Sequence, residues 1–353
     1  MKKLLVCLIC FLMIVSLFSC TRPNGDPPIP PEDEPETDPQ PQELVPNPAT
    51  DFEYEINSDQ TGILINKYIG SSLNVVIPSY IEDLPVLSLK GCFDEVYSTT
   101  VVDGVFEGSS IKTVVIPETV KTIGYAAFVD CRDLTQIIIP ANSNLMYIGG
   151  CAFENCTSLE KIDLSTTQLK KIEELAFREC INLKEIKFPD TLEEIKKRAF
   201  YKCSALLELD LPQSLAKIEG GAFGYCASLK RVVIPPNLNL TSLDEAIFYG
   251  IPVVEQIVFK EGREEITGYG LILTDANVEI VVPQSVRKFS PLPFFINPPA
   301  NIIITFLGNA PEIVDNKDFY WFESATIYYD PYTIGWETFV WNEKIEMKPL
   351  PEN

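Results

Sequence analysis

Five cysteines stand three residues after a phenylalanine each time, at Cys131, Cys156, Cys180, Cys203 and Cys226. Thiols in such a series could attack a substrate, hold a metal or pair as disulfides. Attack needs a base, and the chain has no histidine, which excludes Cys-His and Ser-His-Asp arrangements. The Ser-x-x-Lys spacing occurs at Ser109 to Lys112, Ser158 to Lys161 and Ser214 to Lys217. It places nucleophile and base together only on a helix turn, and its companion motifs are missing. Metal binding fares no better: the lone Cys-x-x-Cys is Cys7 to Cys10, inside an apolar leader, and there is no Asp-x-Asp-x-Asp-Gly loop or phosphate-cradling glycine loop. No catalytic residue, no metal and no cofactor is expected.

The elements that carry these thiols are repeats. Phenylalanine recurs at Phe106, Phe128, Phe153, Phe177, Phe200, Phe223 and Phe248, and alanine precedes it at 127, 152, 176, 199 and 222. Leucine follows each cysteine by three residues, at Leu134, Leu159, Leu183, Leu206 and Leu229. A short apolar alternation comes next, as in Ile186-Lys187-Phe188, closed by proline at 117, 140, 189, 212 or 235. Alternation with period two marks a strand with one buried face, and proline stops it. One such unit cannot bury its apolar side, whereas stacked units cover one another. Equivalent side chains of stacked strands point the same way about 4.8 Å apart, while a disulfide wants β-carbons about 3.8 Å apart on converging vectors. The five cysteines therefore read as a buried column of free thiols behaving as small apolar residues. Cys92 fills the small-residue slot before Phe93, and Cys151, off the column, is the candidate for a reactive thiol.

This phrase, over six consecutive units, resembles the BspA-type leucine-rich repeat. Val75-Val76-Ile77-Pro78 with Leu84 to Leu89 resembles the opening repeat of that family, and Phe306-Leu307-Gly308-Asn309-Ala310-Pro311 with Thr326 to Pro331 resembles its terminal segment. The resemblance implies a mostly β fold, a right-handed leucine-rich-repeat solenoid of short parallel strands in units of about 23 residues. It also implies a surface protein of adhesin-like or host- and cell-contact type.

The N-terminus has a separate logic. Lys2 and Lys3 precede an apolar run from Leu4 to Phe18, too short to span a bilayer and suited to a secretory signal. Leu17-Phe18-Ser19-Cys20 resembles the lipobox of bacterial lipoproteins, which implies acylation of Cys20 and membrane attachment through a lipid anchor. Residues 21–50 hold ten prolines and seven acidic residues, the composition of an extended tether. The expected divisions are 1–19 signal, 20–50 acylated cysteine and tether, 51–105 N-terminal cap and irregular repeats, 106–250 regular repeats, and 251–353 irregular repeats and cap. Loss of Lys2 and Lys3 with the signal takes the formal charge from −22 to −24, so nucleic acid and bare anionic lipid are poor partners. The expected location is the cell envelope, at the outer membrane and exposed.

Binding is then a matter of the outward strand positions. One column reads Thr113, Gln136, Lys161, Glu185, Glu208, Arg231, and the next Val115, Ile138, Asp163, Lys187, Asp210, Val233. Opposite charges adjoin at Lys161 with Glu185, Glu208 with Arg231, and Lys187 with Asp163 and Asp210, as stabilising pairs or as a recognition face. Val115, Ile138 and Val233 are expected to be exposed contact points. A second candidate is the aromatic end, residues 319–341, which holds all three tryptophans. Its rings are expected to close the solenoid, with Tyr332 and Trp336 left exposed beside a turn from Pro331 to Gly335. The partner is an unknown protein or, in the rival reading, a glycan captured by those aromatics; a periplasmic structural scaffold is the third. If the cysteine column is free, denaturing the mature, unreduced protein exposes seven titratable thiols. A count of three or fewer would mean that the column is cross-linked.

Overall fold

The computed structural model describes residues 44–90, 104–239, 247–252, 254–267, 277–290, 301–314, 324–338 and 345–351. Cys20, Cys92, Phe93 and the ring-bearing stretches 319–322 and 339–341 lie outside them. The chain winds into a solenoid of about ten turns, nearly all strand, with no α-helix among the described residues. Each turn, or rung, contributes a short strand to each of two parallel ladders.

The first ladder comprises a five-stranded sheet, from Asn74–Val76 through Thr113–Val115, Gln136–Ile138 and Lys161–Asp163 to Glu185–Lys187. A seven-stranded sheet takes up the series from Glu208–Asp210 to Ile345–Pro349. Within these strands the central residue points inward, as Ile162, Ile186 and Leu209 do, and its two neighbours point outward. Proline then ends the strand and its carbonyl closes a turn three residues on, as from Leu192 N–H to Pro189 (3.2 Å) and Leu215 N–H to Pro212 (3.1 Å). The second ladder is built of two-residue strands such as Lys171–Ile172, Glu194–Ile195 and Lys217–Ile218, each burying its isoleucine.

The phenylalanines close the third side. From Phe106 to Phe223 successive rings lie 4.8–5.1 Å apart within 8° of parallel, which is the rung spacing, and all are buried. The alanine before each ring is buried too, and its carbonyl accepts the N–H of the preceding rung's phenylalanine, as from Phe153 to Ala176 and Phe177 to Ala199 at 2.8 Å. At the ends of the stack Val105 and Ile247 take the same slot, buried and with their carbonyls accepting from Tyr68 and Phe223. On either side of each phenylalanine the chain takes left-handed conformation. Ala126, Cys151, Leu175 and Arg198 have φ of 54–60° two residues before it, and Asp130, Asn155, Glu179, Lys202 and Tyr225 have φ of 57–65° two residues after. That conformation costs a residue with a side chain about 1 kcal/mol. It persists because it aims backbone groups at the next rung, as from Asn155 N–H to the Arg178 carbonyl and Glu179 N–H to the Tyr201 carbonyl, both 2.8 Å.

The N-terminal end is sealed by an antiparallel hairpin, Phe52–Ile56 with Ile63–Tyr68, whose Tyr68 packs 5.3 Å from Phe106. Residues 44–50, read from composition as tether, belong to this cap: the compact unit begins at Leu44, and Asn47 imitates a strand partner for Val76. Its N–H donates to the Val76 carbonyl and its side-chain oxygen accepts the Val76 N–H, both at 2.8 Å. Replacing Phe177 with alanine opens a void between Phe153 and Phe200 in the middle of the stack. The expected loss is about 3–5 kcal/mol, seen as a lower urea midpoint; an unchanged midpoint would mean that the ring stack does not hold the rungs.

Candidate interaction surface

The strand face carries its outward residues in register. Thr113, Gln136, Lys161 and Glu185 are successive neighbours, as are Glu208 and Arg231, and the column runs on through Gln256 and Glu279. Much of this column is bound to itself. Arg231 lies 3.9 Å from Glu208 and donates its Nε to Gln256 (3.0 Å), which donates in turn to Glu279 (2.8 Å). Lys187 reaches Asp163 at 3.3 Å and its strand-mate Glu185 at 3.8 Å, while Asp210 is held by Lys260 at 2.7 Å rather than by Lys187. The apolar members of the second column differ from expectation. Val115 and Ile138 are half-buried, and Val233 is buried, at 5% exposure. Lys260 starts one rung beyond Val233 and bonds to Asp210 and the Leu211 carbonyl one rung before it, so its aliphatic stem crosses the rung between.

The C-terminal turn divides its two candidates. Tyr332 is 85% exposed, but Trp336 is 6% exposed, contrary to expectation. With Gly335 at φ 95° the chain folds back, and the indole stacks on Tyr329 (5.3 Å) and packs against Phe306 (5.2 Å). Its Nε1 donates to Thr333 Oγ1 at 2.9 Å. The last rung exposes apolar interior unless something covers it, and this tryptophan does.

The thiols make a bond that composition alone does not disclose. Each of Cys131, Cys156, Cys180, Cys203 and Cys226 is free and buried, and its Sγ donates to the carbonyl of the preceding rung's phenylalanine at 2.9–3.3 Å. Burial pushes Cys131 up to about 11 and Cys180 and Cys226 to about 12, and raises Cys156 and Cys203 well above the ordinary thiol value. Cys151 is buried as well; burial pushes its thiol to about 12 despite a hydrogen bond with the Tyr125 hydroxyl. A thiolate, the reactive form, is scarce at every one of these sites at neutral pH. Among the described residues no group of three or more Cys, Asp and Glu is placed to hold a metal. Of the Ser-x-x-Lys spacings, that of Ser214 and Lys217 is engaged elsewhere: Ser214 donates to the Leu192 carbonyl and Lys217 is bound to Glu194 and Glu219.

A second polar surface, on the short-strand ladder, was missed. Glu194 sits between Lys171 (3.2 Å) and Lys217 (2.7 Å) on the flanking rungs and also meets Lys196 (3.1 Å). Glu219 joins Lys196 and Lys217 into the same network. The signal was present as alternating sign at constant period, in Lys171-Ile172, Glu194-Ile195 and Lys217-Ile218. Burial on its own would raise the Glu194 carboxyl, but hydrogen bonds from the three lysines outweigh it and hold it at about 2.

The sequence model of one family, described as BspA type leucine-rich repeat region, matches residues 99–229 and 170–297 in six copies. The chain belongs to the BspA-type leucine-rich-repeat family. This is a scaffold and binding family of bacterial surface proteins. Among solved structures the chain is similar to a leucine-rich-repeat protein of T. pallidum, at 23% identity over 74% of this chain and 86% of that one, with a TM-score of 0.37. It is also similar to a leucine-rich cell surface protein of Faecalibacterium prausnitzii, at 20% identity over 72% and 94% of the two chains with a TM-score of 0.32. A third is the pneumococcal vaccine antigen PcpA, at 16% identity over 88% and 94% with a TM-score of 0.42. No curated protein matches the chain. Among the described residues no helix is long and apolar enough to cross a membrane.

For this BspA-type solenoid the Glu194 network predicts a pH effect of definite sign. A carboxyl held below its unfolded value stabilises the fold above that value, and the gain disappears as pH falls from about 4.5 towards about 2. The lysine partners are partly in water, which limits the gain to about 1 kcal/mol. Glu194→Gln should therefore lower stability at pH 6, by less at pH 3, and converge with the parent as pH nears 2 in urea titrations. An equal deficit at both pH values would assign the loss to packing instead.

Proposed function

We propose that this protein is an exported, lipid-anchored envelope protein that presents the outer strand face of its solenoid to a protein partner. The observation that carries this reading is the lateral tying of that face. The outward side chains from Glu208 to Glu279 bond across four rungs, which fixes the geometry of that stretch of the face. Such a surface suits recognition over an area, with Lys161, Glu185, Glu208 and Arg231 as its charged members and the half-buried Val115 and Ile138 as apolar points at one end. Acylation of Cys20 and a proline-rich spacer would hold it away from the membrane. The strongly acidic balance disfavours nucleic acid.

The absence of histidine from the sequence and the protonated state of the buried thiols support binding rather than catalysis. The rival reading, sugar capture at the C-terminal aromatic end, loses Trp336 as a contact and keeps Tyr332. A scaffold confined to the periplasm is separated from both by exposure. Protease added to intact cells should remove the solenoid body while a periplasmic marker survives, and Cys20→Ala should shift the protein from the membrane to the soluble fraction. A body that resists protease until the envelope is opened would favour the periplasmic scaffold.

A further inference from the structure

Three tyrosines gather on the flank formed by the residues just after the ladder phenylalanines. Tyr201 and Tyr249 directly follow Phe200 and Phe248, and Tyr225 stands second after Phe223 on the rung between them. Tyr225 meets Tyr201 edge to face at 5.5 Å and Tyr249 edge to face at 5.2 Å, and is itself 46% exposed. Two features mark the cluster as built rather than incidental.

The first is clearance. A β-carbon at Gly224 would lie 2.8 Å from the Tyr249 ring and 3.2 Å from that of Tyr201. One at Gly250 would lie 2.7 Å from the Tyr225 ring. Earlier rungs carry Val129, Glu154 and Arg178 where Gly224 stands. At Gly224, whose backbone does not itself call for glycine, a side chain would meet both rings. The second is placement. Tyr225 stands at the left-handed position that the repeat fills elsewhere with Gly108, Asp130, Asn155, Glu179, Lys202 and Gly250, and it is the one aromatic ring there among the described rungs.

The surroundings specify the chemistry of a ligand. In its own column Tyr225 is flanked by Lys202 and Gly250, neither of them apolar. Lys202 hangs 5.6 Å over the Tyr201 ring and is neutralised by Glu179 at 3.2 Å, which also holds Arg178 at 2.9 Å. Around the rings lie paired charges and glycine rather than aliphatic side chains, a setting that suits a ligand of hydroxyls and C–H faces. A pyranose offers a face of C–H groups to an aromatic ring and hydroxyls to carboxylate and ammonium groups at its rim. Arg178 also pairs with Glu154, so Lys202 and Arg178 are answered by Glu179 and Glu154, and these pairs ask no charge of the ligand; Arg198 lies 5.7 Å over the Tyr201 ring beside them. We propose that Tyr201, Tyr225 and Tyr249 form a binding platform for neutral hexopyranose-containing glycans, independent of the strand face.

The test is the purified full chain on an array of immobilised oligosaccharides covering neutral hexoses, N-acetylhexosamines and acidic sugars, followed by titration of the best neutral one. Tyr225→Gly removes the ring and relaxes the backbone to what Gly108 and Gly250 already adopt. Tyr225→Asn, with the residue found at Asn155, is a second ring-free variant should the first melt early. Expected are retention on neutral sugars, at least a tenfold loss of affinity in either variant with the unfolding transition preserved, and no change in Tyr332→Ala. Failure to bind any sugar, binding confined to acidic sugars, or full affinity in a folded Tyr225 variant would overturn the proposal. Loss of sugar binding in Tyr332→Ala alone would place the site at the C-terminal end instead.

Discussion

Everything in this molecule depends on one constraint: the backbone and the apolar edge of each rung are completed only by the next rung. The phenylalanine N–H donates forward to the next rung's alanine carbonyl, and the next rung's thiol donates back to the phenylalanine carbonyl. The junction is thus held in both senses at the place where the rings stack at about the strand spacing. A donor or acceptor left over in that interior would cost about 1–3 kcal/mol, so this junction keeps its register while the spacing between ladder phenylalanines varies from 22 to 25 residues. The two ends, which have no next rung, must solve the problem differently. Tyr68 with Asn47 does so at one end, and Trp336 with Tyr329 at the other.

The same constraint explains the choice of cysteine. The site is closed by the neighbouring rungs and tolerates only a small side chain, yet a carbonyl waits 2.9–3.3 Å away. Alanine would fit and leave that acceptor with one donor fewer. Serine would donate well but bring a strongly hydrated hydroxyl into the core. A thiol is apolar enough to bury and still a weak donor, and burial keeps it protonated, with the values pushed up to about 11 or 12. Structural role and chemical inertness are therefore one property here.

How much could be read from the sequence follows from whether a position is defined by side-chain type or by something else. The phenylalanine, alanine, cysteine and leucine columns were legible because the five central rungs fill each buried slot with one residue type, so the same letter recurs, although Val105 and Ile247 replace the alanine at the ends. The left-handed positions were not, because what recurs there is backbone conformation: Cys151, Leu175 and Arg198 share a φ and nothing else. That is why Cys151 looked like an unattached thiol when it is one instance of a repeated turn. Val233 and Trp336 were misjudged for a different reason, since their cover comes from Lys260 on another rung and from the need to close the end. The tyrosine trio escaped notice because its members alternate between the first and second positions after the phenylalanine.

Division of labour between interior and surface bears on how such a chain acquires binding specificity. The interior positions set the path of the backbone, so outward residues vary from rung to rung without moving it. On the strand face much of that variation is spent on lateral pairing: Arg231, Gln256 and Glu279 answer one another, and a partner must replace those bonds to gain from them. On the flank the left-handed turns carry charges that are paired as well, Arg178 with Glu154 and Glu179 and Lys202 with Glu179, and the tyrosines stand beside them. Tyr225 stands there with nearly half its surface in water although its column is otherwise glycine or polar. The solenoid makes the same turn with Asn155 and Lys202, so the stack does not require the Tyr225 ring, and recognition is the use proposed for it.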